Sequence, residues 1–304
     1  MKSTRRLKML KCILKNAGYM TDLVDQLIQQ RQSGEAGEGT PEQIKYKQVP
    51  INIGGNAMVM MPQNVIKEDG SVDIIINFKG VNSPIHAGAT GKRAVQVSVY
   101  EPEGGKHKFG NYAQYNHQFV NRVINTIIST LQKANPEKTI KRGKLTITGW
   151  SAGGTSLKQI LANENQVKGG VDEVIFSDAL HSGMGSNMDQ GLQPVLDFAR
   201  KAALDPNKKI VLVSTGVIPG NTSGQQPYAS TYQTGNRIAE LVGAQQKNTG
   251  DVFYEGGRPA SLSQIGGFQW VQLYPPGKYD VNQMKKQHGD AYRWTVANTS
   301  NLLG

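Results

Sequence analysis

The sequence predicts an α/β fold, a mostly parallel sheet with helices on both faces, plus an N-terminal basic helix ahead of it. Three observations lead there. Short apolar, β-branched runs alternate with longer segments of helical period from residue 72 to residue 274. The segments between successive runs are long enough to be helical crossovers, which are right-handed and pair strands in parallel. A chain of 304 residues is also large enough to bury such a sheet on both sides.

The first element is a helix over residues 4–31. Leu7, Leu10, Ile13 and Leu14, then Met20, Leu23, Val24, Leu27 and Ile28, recur at spacings of three and four. Lys2, Arg5, Arg6, Lys8, Lys11 and Lys15 make the opposite side of its first half strongly positive. Such a helix either packs on its own domain or docks on an anionic surface. Residues 32–42 are small and polar and read as a linker. The chain is thereby divided into an arm, 1–42, and a main domain, 43–304.

In the main domain, Val72–Phe78 and Ala94–Tyr100 read as strands. Residues 111–134 read as a helix with Phe119, Val120, Val123, Ile124, Ile127, Ile128 and Leu131 on its inner face. Lys144–Thr148 is a strand, Thr155–Ala162 opens a helix, Val174–Ser177 is a strand and 192–203 a helix. Lys209–Ser214, a helix over 229–243 and the strand Phe268–Tyr274 complete the pattern. The stretches 80–93, 182–191 and 216–230 follow strand ends and read as irregular loops around one mouth. Their polar composition predicts an open cleft without a large helical cap, with Trp150, Tyr228 and Tyr232 as its aromatic residues.

Bulk chemistry narrows the function classes. A net charge of +11 favours anionic partners. The single cysteine, Cys12, excludes an intrachain disulfide and a cysteine metal site. No apolar run approaches the ~20 residues of a membrane span. Lys11 and Lys15 interrupt the stretch that a secretory signal would need, so no cleavable leader is expected and the reading is soluble and cytoplasmic. Gly88-Ala89-Thr90-Gly91-Lys92-Arg93 fails as a phosphate loop, because His86 stands where its first glycine belongs and Arg93 where Ser or Thr would hold magnesium. The chain has no His-Glu-x-x-His and no Gly-x-Gly-x-x-Gly after the first strand, so no metal and no cofactor are expected. Its dispersed basic residues form no specific nucleic-acid motif.

One motif carries chemistry. Gly149-Trp150-Ser151-Ala152-Gly153-Gly154 follows the strand ending at Thr148 and precedes a helix. A serine on a strand–turn–helix corner is a nucleophile elbow, whose flanking positions must be small to avoid the strand and the helix. Over residues 70–295 this elbow and the order of elements resemble the α/β-hydrolase superfamily, which implies a serine hydrolase with its triad in the order Ser, acid, His. The five histidines are His86, His107, His117, His181 and His288, and only the last two follow Ser151. The resemblance assigns His288 as base, in a loop after the last strand with Gly289 giving the ring room. It assigns Asp178, at the end of Val174–Ser177, as acid, the strand ending at Ser214 having no carboxylate after it. Asp280 and Asp290 are the competing acids, and His181 is left beside Asp178 or the substrate. The oxyanion hole is expected from the N–H of Ala152 and that of Val81, with Gly80 next. Lys79 either biases the site toward an anionic substrate or points to solvent. The expected reaction is cleavage of a carboxylic ester, or an amide, by way of an acyl-enzyme. The alternatives are an inactive scaffold that binds an anionic surface through its basic arm, and an envelope or cell-wall hydrolase.

Overall fold

The computed structural model describes residues 44–54, 56–81, 83–100, 112–218, 228–248 and 261–303. The expected basic helix at 4–31, the linker at 32–42 and the polar stretch 219–227 lie outside the described residues.

The strands are β1 (Tyr46–Val49), β2 (Ala57–Pro62), β3 (Ser71–Phe78), β4 (Val95–Val99), β5 (Lys141–Trp150), β6 (Glu173–Ser177), β7 (Lys209–Ser214), β8 (Gln245–Asn248), β9 (Ser261–Ile265) and β10 (Phe268–Gln272). The helices are α1 (Pro84–Ala89), α2 (His117–Ala134), α3 (Gly154–Leu161), α4 (Ser186–Leu204), α5 (Thr231–Val242) and α6 (Val281–Leu303). The strands form one sheet in the order β1-β2-β4-β3-β5-β6-β7-β10-β9-β8. Its centre, from β4 to β10, is parallel. Antiparallel pairs close it at both edges. This mostly parallel sheet, with β5 and β6 at its middle and the chain leaving the elbow into α3, is the α/β-hydrolase fold.

Alternation along the central strands divides the core between the two faces. Val174 and Phe176 of β6, with Ile210 and Leu212 of β7, join the large cluster that Phe119, Val123 and Ile127 of α2, Leu157 and Ile160 of α3, Phe198 of α4 and Ile238 of α5 complete. Ile175, Val211, Val213 and Val271 point the other way and meet Ala291, Trp294 and Leu302 of α6. Val81 and Ala87 join Met60 and Val296 in a third cluster on that second side. Helices therefore cover both faces.

The structure corrects several boundaries. Helix α2 starts at His117 rather than 111, because the Asn116 side chain caps it by accepting from the Gln118 N–H. Half of the loop expected at 182–191 is the first turns of α4. Within 80–93, Pro84–Ala89 is a short helix capped by Ser83. Strands β1, β2, β8 and β9 and helix α6 were not expected. Helix α6 matters most, because it turns the expected loop around His288 into a rigid rod. Asp280 starts it: its carboxylate accepts from the N–H groups of Asn282 (2.8 Å) and Gln283 (2.9 Å), and the Gln283 side chain accepts from the Asp280 N–H (3.0 Å). This is a reciprocal cap of two orphan donors.

Candidate active site

The elbow is built by close backbone approach. A methyl group at Gly153 would lie 2.1 Å from the Phe78 carbonyl oxygen, and one at Gly154 would lie 1.9 Å from that of Ala179. No side chain fits at either distance, so glycine lets the start of α3 nest between the ends of β3 and β6. Ser151 sits at φ 56°, a left-handed conformation that an L-residue adopts only when its surroundings hold it there. The half-buried serine is thus presented at the C-terminal rim of the sheet.

Asp178 reaches the same rim from the next strand. Trp150 pairs with Ser177 in the β5–β6 register, so Ser151 and Asp178 leave adjacent strand ends together. Asp178 is also left-handed, at φ 43°, and its N–H donates to the Val213 carbonyl at 2.8 Å. Asp178 is buried, 5% exposed. Oδ1 accepts from the Thr215 N–H (3.3 Å), the Thr215 hydroxyl (3.1 Å) and the Thr231 hydroxyl. Oδ2 lies 2.6 Å from His288 Nδ1. Burial alone would push this carboxyl up, but the His288 hydrogen bond and charge, with the Thr231 hydroxyl, outweigh it and hold it at about 2. Asp178 is therefore an anion that fixes the imidazole with Nδ1 protonated, which leaves Nε2 for proton transfer.

His288 stands in α6, with its side chain about one-third exposed. Apart from its chain neighbours, a methyl at Gly289 would face the Arg293 guanidinium at 3.5 Å. The competing acids are engaged elsewhere. Asp280 caps α6, and buried Asp290 binds the Tyr274 hydroxyl, Lys286 (3.1 Å) and Arg293.

The other expected site residues divide. Trp150 stacks on His288, with ring centroids 4.8 Å apart at 29°, and also lines the cavity between the sheet and α6. Lys79 has φ 55° and donates its N–H to the Val99 carbonyl at 3.0 Å. Its ammonium lies 5.6 Å from the Trp150 ring centroid. Gly80 and Val81 follow on the same loop. Val81 is buried, and its carbonyl accepts from the Ser98 hydroxyl, which anchors the loop to β4. Ala152 is buried directly behind the serine. His181 lies close enough to Asp178 for the two charges to interact. Burial outweighs that attraction and, with the nearby His288 and Lys158 charges, lowers its pKa to about 4, so it is neutral at neutral pH. Its ring meets Tyr228 edge-on at 5.2 Å. Tyr232 packs on Trp270 at 5.5 Å. Sequence reasoning missed Thr215, Thr231 and Tyr292. The capping pair Ser230 and Gln233 was a signal for the turn that carries Thr231.

A cavity of about 20 Å³, room for one water, lies between the sheet and α6. Asn77, Thr148, Ser177, Tyr292 and Thr295 are among its lining, and Ser151, Asp178 and His288 are not. Among the described residues no group of three or more His, Cys, Asp or Glu side chains is placed to hold a metal ion. No helix among them is long and apolar enough to cross a membrane.

No protein-family model and no curated protein matches the sequence. Among solved structures, the chain is similar to a thermostable esterase at 10% identity and TM-score 0.41, over 86% of this chain and 62% of that one, so it spans less than two thirds of that esterase. It is also similar to the feruloyl esterase module from Clostridium thermocellum, at 13% identity and TM-score 0.46, over 88% and 90% of the two chains. A Pyrobaculum calidifontis esterase matches at 13% identity and TM-score 0.43, over 97% and 93%. The fold assignment rests on this chain's own strand order, register and elbow.

Proposed function

We propose that this chain, with its α/β-hydrolase fold, is a serine hydrolase that cleaves a carboxylic ester, or an amide, through an acyl-enzyme. The observation that carries the reading is the 2.6 Å contact between His288 Nδ1 and a buried Asp178, on the same sheet rim as the left-handed Ser151. A left-handed serine on the rim that also carries an aspartate-held imidazole is the arrangement that nucleophilic acyl transfer draws on.

In this mechanism Ser151 Oγ attacks the acyl carbon while its proton passes to His288 Nε2. Asp178 stabilises the imidazolium and keeps its orientation. The N–H groups of Ala152 and Val81 donate to the tetrahedral oxyanion, with the N–H of Gly80 beside them, a contribution worth about 10²–10³ in rate for one such donor. The bond to the leaving group breaks and His288 returns the proton to it. Water then attacks the acyl-enzyme, giving its proton to His288, and the acid product leaves as Ser151 regains its hydrogen. A positively charged arm would draw an anionic surface or polymeric substrate to this site, and turnover of such a substrate would then fall as salt rises.

The test is covalent labelling by a fluorophosphonate probe. The expected result is labelling of the wild type, none for Ser151→Ala and a sharp drop for His288→Ala. A folded wild type that does not label sinks the hydrolase reading and favours a binding protein on the same scaffold.

A further inference from the structure

The residue before the nucleophile is packed against the base. Trp150 Nε1–H donates to the His288 main-chain carbonyl at 3.1 Å, between positions 138 residues apart in sequence. The two rings stack at 4.8 Å and 29°. One helical turn on, Tyr292 brings a second ring to the same indole, at 5.1 Å and 35°. Trp150 thus meets positions i and i+4 of α6, which lie on one helix face. The indole also receives the Lys79 ammonium, 5.6 Å from its centroid. A methyl at Gly80 would touch the Tyr292 ring at 3.7 Å, so that ring lies alongside the oxyanion loop as well.

We propose that Trp150 is the positioning residue of His288, setting the plane of the imidazole and tying the base to the elbow and to the loop of Lys79 and Gly80. The Asp178 hydrogen bond holds one ring atom, Nδ1, and leaves rotation about that bond open. A stacked indole whose own N–H is tied to the same residue's carbonyl removes that rotation. The backbone of Trp150 is fixed by its β5–β6 pairing, so the restraint is anchored one residue from Oγ. The role rests on the hydrolase reading for its kinetic consequence, but the geometry it predicts does not.

Trp150→Phe keeps a ring and loses the N–H, and Trp150→Leu loses both. Two readouts are taken: the downfield proton resonance of His288 Nδ1–H bound to Asp178, and the rate of fluorophosphonate labelling. Trp150→Phe should slow labelling about 2- to 10-fold, the worth of one net hydrogen bond, and shift the resonance. Trp150→Leu should slow it about 100-fold, the effect of displacing a catalytic group by about 1 Å, with the resonance broadened or lost. With an ester substrate the loss should fall on kcat, leaving KM near its wild-type value. Wild-type rates and an unchanged resonance in both variants would reduce Trp150 to packing and overturn the proposal. If Trp150→Leu does not fold, Trp150→Phe decides in the same way. If the wild type does not label at all, the hydrolase reading fails, and the resonance still decides whether Trp150 holds His288.

Discussion

Replacing Gly154 by Ala perturbs the elbow where the chain has no room. The added methyl would sit 1.9 Å from the Ala179 carbonyl oxygen, 2.8 Å from its carbon and 3.0 Å from its Cβ. Ordinary contact begins at 3.4 Å, so the start of α3 and the turn at 178–179 must separate by about 1.5 Å (3.4 minus 1.9). Both sides of that gap are backbone and neither has a rotamer to yield. Overpacking of this kind costs about 1–3 kcal/mol, which in a domain of this size lowers Tm by roughly 2–12 °C. Ala179 follows Asp178, so the same displacement moves the acid relative to Ser151, and misplacement by about 1 Å costs on the order of 100-fold in rate. Gly289→Ala is the control. It lies inside α6 next to His288, and beyond its chain neighbours its methyl would meet the end of the Arg293 side chain at 3.5 Å, an ordinary contact. It should gain about 0.5–1 kcal/mol from helix propensity and label at the wild-type rate. Calorimetry and the labelling rate read both variants. A Gly154→Ala protein with unchanged Tm and rate would refute the close approach, and an inactive Gly289→Ala protein would show that this glycine gives the His288 ring its room.

Two further outcomes follow from the carboxylates. Asp178→Asn should slow labelling by up to about 10⁴-fold, since an amide favours the wrong imidazole tautomer. The folded carboxyl is held at about 2 against an ordinary 3.8, so its contacts stabilise the protein above pH 4 and are lost as pH falls toward 2. Wild type should lose about 2 kcal/mol across that window, seen as a narrowing gap between its urea midpoint and that of Asp178→Asn; a gap that stays constant would contradict the ion pair. Asp290→Asn removes the charge that binds Lys286, Arg293 and the Tyr274 hydroxyl. It should cost about 1–3 kcal/mol of stability while leaving the labelling rate within a few-fold of wild type, and loss of labelling in a folded protein would reopen the choice of acid.

The elbow was legible because its demands are local. Small residues at 149 and 152–154 and a serine between a strand and a helix satisfy a steric rule that operates over six positions. The central strands were legible because strands buried on both faces are continuous apolar runs. The edge strands were not. Gln245–Asn248 is polar, and β1 and β2 become strands through the partners they pair with. Helix α6 was hidden for a different reason: its buried side includes Gln287, Asp290, Thr295 and Thr299, so it lacks a clean apolar stripe. The cap formed by Asp280 and Gln283 was the signal available for its start.

By itself, the sequence determined which residue types stand at the corner and which order of elements follows it, since steric fit at a tight turn and burial of an apolar strand depend on neighbours along the chain. Only the tertiary structure decided that Asp178 and His288, 110 residues apart, meet at 2.6 Å, that Asp280 caps α6 and Asp290 binds Tyr274 and α6's own cations, and that Trp150 rests on His288. Those contacts arise where the β5–β6 rim faces α6. Their partners are chosen by strand register and helix phase, which no local pattern encodes.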